Sequence, residues 1–584
     1  MTTWFGFHVC AFLLLAGIVG AAYGSYDRLA QLADAIRRHS RPLYTGLALL
    51  AVCVALSAFI LYFGNRQFGG FDQSVMVEAG WRLHQGQLPY RDFICTMPPG
   101  FFLGVKWADA LFGVSWDAML YACAIFSCVT FLWTFALLRK LLDDELAAFW
   151  IAFCIQDAAM LTMCFWHHSN VTSITAAVFF LSCWLYLQQP DRAGSSASYV
   201  ASLALLGLMK PNVALPLIGM AGALMLVATP ARAWWKLALL TLAGLGGFWG
   251  ILAANGVSLG GMIASYRAVA VERGFAAYGT AGMPMPDAVR VIICLIGFSA
   301  PFVVWGPRFW EAWRTSDIRA LAKNLLWMAA PITAAYAMVT NRDIKDVEWP
   351  LLLCSGAVLM FTAARLSPKW LTKFYVCFLI TLSALDLYLG VVRYRIALIA
   401  DFYAWEGRLT PPGIPFFEHM EAGDNFGLMV RQMSQVLKDD KQSVFFGPRM
   451  EFGYAAFRRP SPRHLPIWWH PGSSFVLTDE PRILTVWSAS CFDTLIFARN
   501  DFTYYSPSFI NVIWAHYERL PDQAEWSELT IFHRKSGGCK LASGGSPNNA
   551  EENDDSDLPR APDRSRLLPA AALGSPVQHS ALLP

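Results

Sequence analysis

The sequence predicts an α-helical polytopic membrane protein with about 12 spans, followed by a small α/β domain on the outer side of the membrane. Two observations carry this prediction. Hydrophobic residues make up 56% of the 584 residues and charged residues only 15%, with a mean hydropathy of +0.41, which is too apolar for one soluble core. Apolar windows of membrane-spanning length also recur up to residue 391, where the composition becomes mixed and aromatic.

The charge and the cysteine content argue against two classes of protein, those that bind nucleic acid and those with a zinc site. The net charge is only +3, and the basic residues lie in short separate loops, so the chain lacks the basic face of a nucleic-acid-binding protein. The thirteen cysteines include no CxxC pair and no Cys/His spacing typical of zinc sites. They are interpreted as small buried hydrophobic residues.

Apolar windows long enough to cross a bilayer define the predicted spans. These cover residues 7–23, 43–63, 117–138, 146–164, 169–188, 197–209, 213–228, 234–254, 288–306, 324–340, 349–364 and 371–391. The stretch 197–228 is interrupted at Lys210, Pro211 and Asn212, so it is either two short spans or one kinked span. Whether this stretch counts as one span or two decides on which side of the membrane every later loop lies.

Basic residues are concentrated in alternate loops when 197–228 is counted as two spans. The basic loops are 24–42, 139–145, 189–196, 229–236, 307–323 and 365–373. The positive-inside rule makes them cytoplasmic, so the loop 64–116 faces outward. The first apolar stretch has no basic leader and is interpreted as an uncleaved anchor with an external N-terminus.

The sequence divides into three predicted parts. Residues 1–391 form a multi-span catalytic domain that includes the outer loop 64–116. Residues 392–537 form an extracytoplasmic α/β domain, because FGLMVRQMSQVLKDD has helical periodicity and SVFFGP, TLIFAR and ELTIFHR are short strand-like runs. Residues 538–584 are rich in Gly, Ser, Pro and acidic residues and predict a disordered tail.

The outer loop gathers polar residues at the edge of the bilayer. The pattern predicts a helix from Asp72 to His84 that ends at Gly86, and Asp72 then lies at the mouth of the second span. Glu78 points away from the face of Asp72 and is interpreted as a solvated residue. The pair Pro98 and Pro99 predicts an extended segment before GFFLGVKWADALFG.

These residues form a pattern: Asp72 after an early span, then GQLPYRDF, then MPPGFF. It resembles the first outer loop of the GT-C superfamily of integral-membrane glycosyltransferases, in the branch of the protein O-mannosyltransferases and the aminoarabinose transferases of lipid A. Gln73 stands where that branch commonly has a second acid, so an adjacent pair of carboxylates is absent.

The resemblance implies transfer of a sugar from a polyprenyl-phosphate donor to an acceptor on the outer face, with inversion at the anomeric carbon. A hydroxyl acceptor needs a general base, and Asp72 is the candidate. The departing phosphate needs cationic hydrogen-bond donors, and Arg91 and Lys210 are the candidates. Asp92 is a second catalytic candidate; its alternative role is a local ion pair with Arg91 or a turn cap after Tyr90.

Further substrate-binding candidates are Tyr90, His167 and His168. Adjacent histidines on one helix point in different directions, which makes a poor metal site, so FWHHSN is interpreted as an interfacial segment or as an acceptor or carrier contact. The acids Asp343, Asp346 and Glu348 form a secondary donor-site candidate or a polar loop. The first loop has no Asp-x-Asp pair, so no metal or other cofactor is indicated, although a divalent cation is compatible with the sequence.

Two other functions compete with glycosyl transfer. One is a flippase or transporter of a lipid-linked sugar, and the other is a catalytically silent subunit with the GT-C fold. Transporters place charges at mid-bilayer and often have duplicated halves, whereas this chain gathers its acids in an outer loop. The predicted partners are the polyprenyl-phosphate sugar, a lipid, glycan or protein acceptor, and membrane lipids. The predicted location is the bacterial inner membrane, with the site facing the periplasm or exterior.

Overall fold

The computed structural model describes most of the chain. The described ranges are 44–66, 72–142, 145–156, 166–273, 306–340, 409–437, 442–469, 474–499, 505–521 and 527–537, with a few isolated positions. The predicted spans at 7–23, 288–306, 349–364 and 371–391, the acidic segment 343–348 and the predicted tail 538–584 lie wholly or almost wholly outside these ranges.

Helices dominate the first part of the described chain. They are α1 (Tyr44–Gly64), α2 (Asp72–His84), α3 (Pro99–Phe112), α4 (Trp116–Leu141), α5 (Glu145–Gln156), α6 (His168–Gln188), α7 (Ala193–Gly207), α8 (Pro211–Ala228), α9 (Trp234–Ala254), α10 (Leu259–Arg273), α11 (Ile318–Leu326) and α12 (Ala329–Thr340). Five helices within the described ranges are long and apolar enough to cross a membrane. The protein is therefore an integral membrane protein.

Local signals explain where the longest helix begins and ends. Ser115 caps α4 by accepting a hydrogen bond from the amide of Ala118, and Asp117 lies in the first turn. Arg139 and Lys140 occupy the last turn. An acid in the first turn and basic residues in the last turn both complement the helix dipole, so both ends of α4 are stabilised.

The stretch 197–228 contains two helices rather than one kinked helix. α7 ends at Gly207 and α8 begins at Pro211, where the fixed φ of proline suits the first helical position. The connecting carbonyl of Leu208 accepts a hydrogen bond from the amide of Gly100 at 2.9 Å, so α3 begins against this junction. Conversely, the span predicted at 324–340 is divided between α11 and α12.

The second part of the described chain is a small α/β region. Its helices and strands are β1 (Leu409–Thr410), β2 (Ala422–Gly423), α13 (Asp424–Val436), β3 (Val444–Phe446), α14 (Gly453–Ala456), α15 (Glu480–Ala489), β4 (Thr494–Ala498), α16 (Pro507–His516), β5 (Tyr517–Arg519) and β6 (Leu529–Arg534). The four-stranded sheet has the order β3-β4-β6-β5, with β3 parallel to β4 and the other pairs antiparallel. We call residues 409–537 the outer domain, after the side of the membrane on which the sequence predicts it.

Aromatic side chains join the outer domain to the helical part. Phe68 stacks on Phe426 with ring centroids 4.7 Å apart and meets Phe452 edge-on at 4.8 Å. Trp116, at the start of α4, lies 5.3 Å from the ring of Phe68. All four side chains are buried, so one continuous apolar core links the end of α4 that carries Asp117 with the outer domain.

Candidate active site

Helix α2 lies almost wholly inside the protein. Every residue from Gln73 to Leu83 is buried. Its contact with α3 is close, because a Cβ added at Gly80 would lie 2.3 Å from the side chain of Val105. The chain turns after α2 at Gly86, whose φ of +80° favours glycine. The helix bounds predicted from the sequence are the ones observed.

A carboxylate and two imidazoles meet at the start of α2. Nε2 of His167 lies 2.7 Å from Oδ2 of Asp72, and Nε2 of His168 lies 3.1 Å from the same oxygen. The Asp72 side chain is 30% exposed, whereas His167 is buried. The sequence predicts both histidines on one helix. In the structure α6 begins at His168, so His167 has non-helical backbone and both rings reach Asp72.

The charges of this cluster follow from its burial. Burial, followed by the nearby Lys210 ammonium, lowers the pKa of His168 to about 3, so this imidazole is neutral near pH 7. Burial alone would raise the pKa of Asp72, but the histidines that surround it hold its pKa well below the ordinary value. Asp72 is therefore a carboxylate, and the two histidines are its partners at Oδ2.

Lys210 lies beside the cluster, at the junction of α7 and α8. Its amide donates to Oγ1 of Thr172 on α6 at 3.4 Å, and its ammonium acts electrostatically on His168. The ring of Phe101, from α3, lies 5.8 Å from the ring of His168. The structure thus brings together four of the predicted site residues, namely Asp72, His167, His168 and Lys210.

Tyr90, Arg91 and Asp92 lie together on a separate turn. Oδ2 of Asp92 accepts a hydrogen bond from the amide of Leu88 at 2.8 Å and lies 3.0 Å from the Arg91 guanidinium. The Arg91 side chain is 65% exposed. This arrangement is the local ion pair and turn cap that the sequence allowed for Asp92. The described contacts of this turn do not include Asp72, so it is not joined to the cluster.

Tyr90 has a strained backbone. Its φ of +65° is uncommon for a bulky residue, and its hydroxyl donates to the carbonyl of Met97 at 2.7 Å. The hydroxyl of Tyr266 on α10 lies 3.4 Å from that of Tyr90, and Oγ of Ser265 donates to the carbonyl of Cys95 at 2.6 Å. α10 therefore supports the segment between α2 and α3.

The interpretation of Glu78 as a solvated residue is wrong. Its side chain is completely buried and lies 2.5 Å from Nε of Arg82, which is also buried. Ser461 of the outer domain donates to the second carboxyl oxygen of Glu78 at 3.1 Å. Burial, opposed by Arg82, raises the pKa of Glu78 to about 7. The outer domain covers this face of α2, which a helix pattern alone cannot reveal.

The cluster of Asp72, His167 and His168 has the donors of a divalent-cation site. Their ligand atoms all lie within 4.8 Å of one another. One carboxylate and two imidazoles are a donor set suited to zinc or a similar transition metal. Within the described part of the chain this is the one group of three such residues with that spacing.

Sequence reasoning missed the residues of the outer domain that contact α2. Glu451 lies 377 positions from Ser74, yet it accepts the Ser74 hydroxyl at 2.7 Å. Neither residue belongs to a motif, and no local pattern in the sequence pairs them. Tyr266, which contacts Tyr90, was missed for the same reason.

The helical membrane part, the outer-loop helix and the small sheet domain together form the GT-C fold. ArnT from Cupriavidus metallidurans bound to undecaprenyl phosphate is similar over 85% of this chain and 99% of that chain, with a TM-score of 0.50 and 14% identity. The Archaeoglobus fulgidus oligosaccharyltransferase in complex with Zn and sulfate is similar over 85% of this chain and 74% of that one, with a TM-score of 0.36 and 15% identity. No family model and no curated protein matches the sequence.

Proposed function

We propose that this protein transfers a sugar from a polyprenyl-phosphate donor to an acceptor on the outer face of the membrane, with inversion and with Asp72 as the general base. The observation that carries the proposal is the partly exposed Asp72 carboxylate, held by two histidines beside a lysine at the ends of α6 and α8. The similarity of the fold to ArnT, which was crystallised with undecaprenyl phosphate, supports the class of donor.

Asp72 has the geometry that a general base needs. Its histidine partners both contact Oδ2, so the carboxylate is fixed in orientation while part of it stays accessible to an acceptor hydroxyl. General-base help of this kind contributes about 10²- to 10⁴-fold to the rate. Because its pKa is held low, Asp72 is ionised across the physiological pH range.

Lys210 supplies the cation for the departing phosphate. It stands immediately before α8, at the end where the helix dipole is positive. A lysine at a helix N-terminus is a favourable place for an anion. Arg91, on the separate turn, remains the second phosphate candidate, because its exposed guanidinium can reach a ligand that covers the turn.

Two features support an outward-facing site. Arg139 and Lys140 mark one end of α4, and Asp117, which lies 2.6 Å from His419 of the outer domain, marks the other end. The positive-inside rule places the basic end in the cytoplasm, so the outer domain lies outside. Cys491 of the outer domain is disulfide-bonded, which suits an oxidising compartment such as the periplasm.

The direct test is transfer by purified protein. Radiolabelled polyprenyl-phosphate sugars of several kinds are incubated with the protein and with lipid, glycan and peptide acceptors. We expect radioactivity to move to an acceptor with one donor and not with the others. Transfer with none of the donors would contradict the proposal and favour a flippase or a silent subunit. Movement of intact donor across proteoliposomes would then identify the flippase.

The cation-binding geometry gives Asp72 a second candidate role, as a metal ligand. The chemistry that a bound cation would supply is charge neutralisation at the departing phosphate. We expect the transferase to be metal-independent, because each histidine ring already has its hydrogen bond to Asp72. Dialysis against EDTA should leave transfer unchanged. Loss of transfer that Mn²⁺ or Zn²⁺ restores, with one bound ion per chain by mass spectrometry, would reassign Asp72 to the metal.

A further inference from the structure

Helix α2 is joined to the outer domain by hydrogen bonds along its length. The Ser74 hydroxyl donates to Oε2 of Glu451 at 2.7 Å and accepts from the amide of Phe452 at 3.0 Å. At the other end of the helix, the indole of Trp81 donates to the carbonyl of Arg459 at 2.8 Å. The outer domain therefore contacts both the first and the last turns of α2.

Ser74 and Asp72 belong to the same turn but face different partners. Residues two apart on a helix point about 200° apart around its axis. Accordingly, Asp72 faces the two histidines, whereas Ser74 faces Glu451. The first turn of α2 is thus held from two sides, by His167 on one side and by the outer domain on the other.

Glu451 acts on Ser74 from a buried position. It is only 3% exposed, and burial raises its pKa to about 8, so its carboxyl group is neutral near pH 7. Its other oxygen, Oε1, is also buried. A small cavity lies beside it, lined by Glu78, Arg82 and Tyr454. A buried carboxyl group costs stability unless it is paired, and here Ser74 of α2 is its partner.

We propose that Glu451 and Ser74 are positioning residues for Asp72. The outer domain fixes the first turn of α2 through this contact, and the turn then presents the Asp72 carboxylate at the distance and angle that proton transfer needs. The proposal rests on the proposed function, because it assigns the reaction to Asp72. A misplacement of about 1 Å can lower a rate by about 10²-fold, so a remote contact of this kind has a measurable effect.

The test compares two truncations with one conservative variant. Glu451→Ala and Ser74→Ala each remove the contact, and we expect kcat to fall by about tenfold or more with little change in KM for the donor. Glu451→Gln has the shape of the neutral carboxyl group and keeps an acceptor for Ser74, so it should restore most of kcat. The double alanine variant should lose no more than either single variant, because both remove the same contact.

Asp501 provides the matched control. It is a buried acid of the same domain, and its carboxylate lies 3.4 Å from the Arg449 guanidinium. Asp501→Asn should lower the thermal midpoint without changing kcat of the folded fraction. Amide hydrogen exchange of residues 72–84, measured by mass spectrometry, should become faster in the two alanine variants and stay unchanged in Asp501→Asn.

Two results would overturn the proposal: wild-type kcat in the double alanine variant, or losses that equal the loss of folded protein in every variant. Failure of the proposed function gives a different result. In that case the wild type transfers no sugar, while the exchange of residues 72–84 still reports whether Glu451 holds α2. Unchanged exchange in both alanine variants would reject the contact as a positioning device, whatever the reaction is.

Discussion

Oδ2 of Asp72 lies 2.7 Å from Nε2 of His167, and Oδ2 of Asp117 lies 2.6 Å from Nδ1 of His419. The two pairs have the same chemistry in different surroundings. The first lies beside His168 and Lys210 at the junction of α2, α6 and α8. The second joins the start of α4 to a histidine that is 63% exposed. The pair of Asp117 and His419 therefore serves as a control for the proposed role of Asp72 as the general base.

Asp72→Asn should lower turnover by about 10²-fold or more while donor affinity persists. Asparagine keeps the size and one acceptor oxygen of Asp72, but it cannot take a proton from an acceptor hydroxyl. Single-turnover transfer and direct donor binding, measured on the same preparation, separate the two effects.

The control for this substitution is Asp117→Asn, which breaks the other acid–histidine pair and should change turnover by less than about twofold. Glu78→Gln is unsuitable as a control, because Glu78 is buried in an ion pair with Arg82. Equal losses in Asp72→Asn and Asp117→Asn would indicate a structural effect. Wild-type turnover in Asp72→Asn would make Asp92 the next candidate base.

Lys210→Ala should weaken donor binding by about tenfold, the effect of removing one charge-assisted hydrogen bond to phosphate. The thermal midpoint in detergent should hardly change, since Lys210 lies between two helices rather than within one. Lys210→Arg keeps the charge and should recover part of the affinity. If folded protein falls in proportion to binding in Lys210→Ala, the lysine has a structural role instead.

Single-cysteine labelling tests the sidedness of the outer domain. A cysteine at Arg463, which is exposed in the outer domain, should react with an impermeant thiol reagent in intact cells. A cysteine at Ser316, which precedes α11, should react only after permeabilisation. The other cysteines can be replaced, but Cys491 and its disulfide partner are kept because they are not free. The reverse pattern of labelling would invert the topology and place Asp72 in the cytoplasm.

Local signals explain what the sequence predicted well. Helix α2 has an acid at its start and Gly86 after its end, so its bounds from Asp72 to His84 could be predicted. The three strands β3, β4 and β6 were predicted because each is a short apolar run between turn residues or charges. The fold class was predicted from composition and span length, and the similarity to ArnT confirms it.

The assembly of the site depends on contacts that sequence patterns do not contain. His167 reaches Asp72 because α6 begins one residue later, and helix boundaries are accurate only to one or two residues. Glu78 is buried because the outer domain covers α2, with Ser461 lying 383 positions along the chain. The role of Ser74 likewise depends on Glu451, since the polar pattern of α2 is that of an ordinary surface helix.

The buried acids between α2 and the outer domain predict how stability depends on pH. Burial raises the pKa of Glu78 from 4.5 to about 7 and that of Glu451 from 4.5 to about 8. Between pH 4.5, the ordinary pKa of glutamic acid, and about pH 8, these two acids bind more protons in the folded protein than in the unfolded chain. Stability therefore falls as the pH rises, and the contribution of the two neutral acids, complete below about pH 4.5, is lost above about pH 8.

Glu451→Gln removes one of the two titrating groups and should flatten this dependence. We expect the thermal midpoint of the wild type, followed by intrinsic fluorescence, to fall steadily between about pH 5 and about pH 9, and that of Glu451→Gln to fall less. At the alkaline end the variant should be the more stable of the two, because glutamine cannot acquire a charge next to Glu78. Glu78→Gln is expected to act differently, since it also removes the charged partner of Arg82. Parallel curves for the wild type and Glu451→Gln would show that Glu451 does not titrate in this range. The conclusion that Glu451 is neutral at its contact with Ser74 would then be wrong.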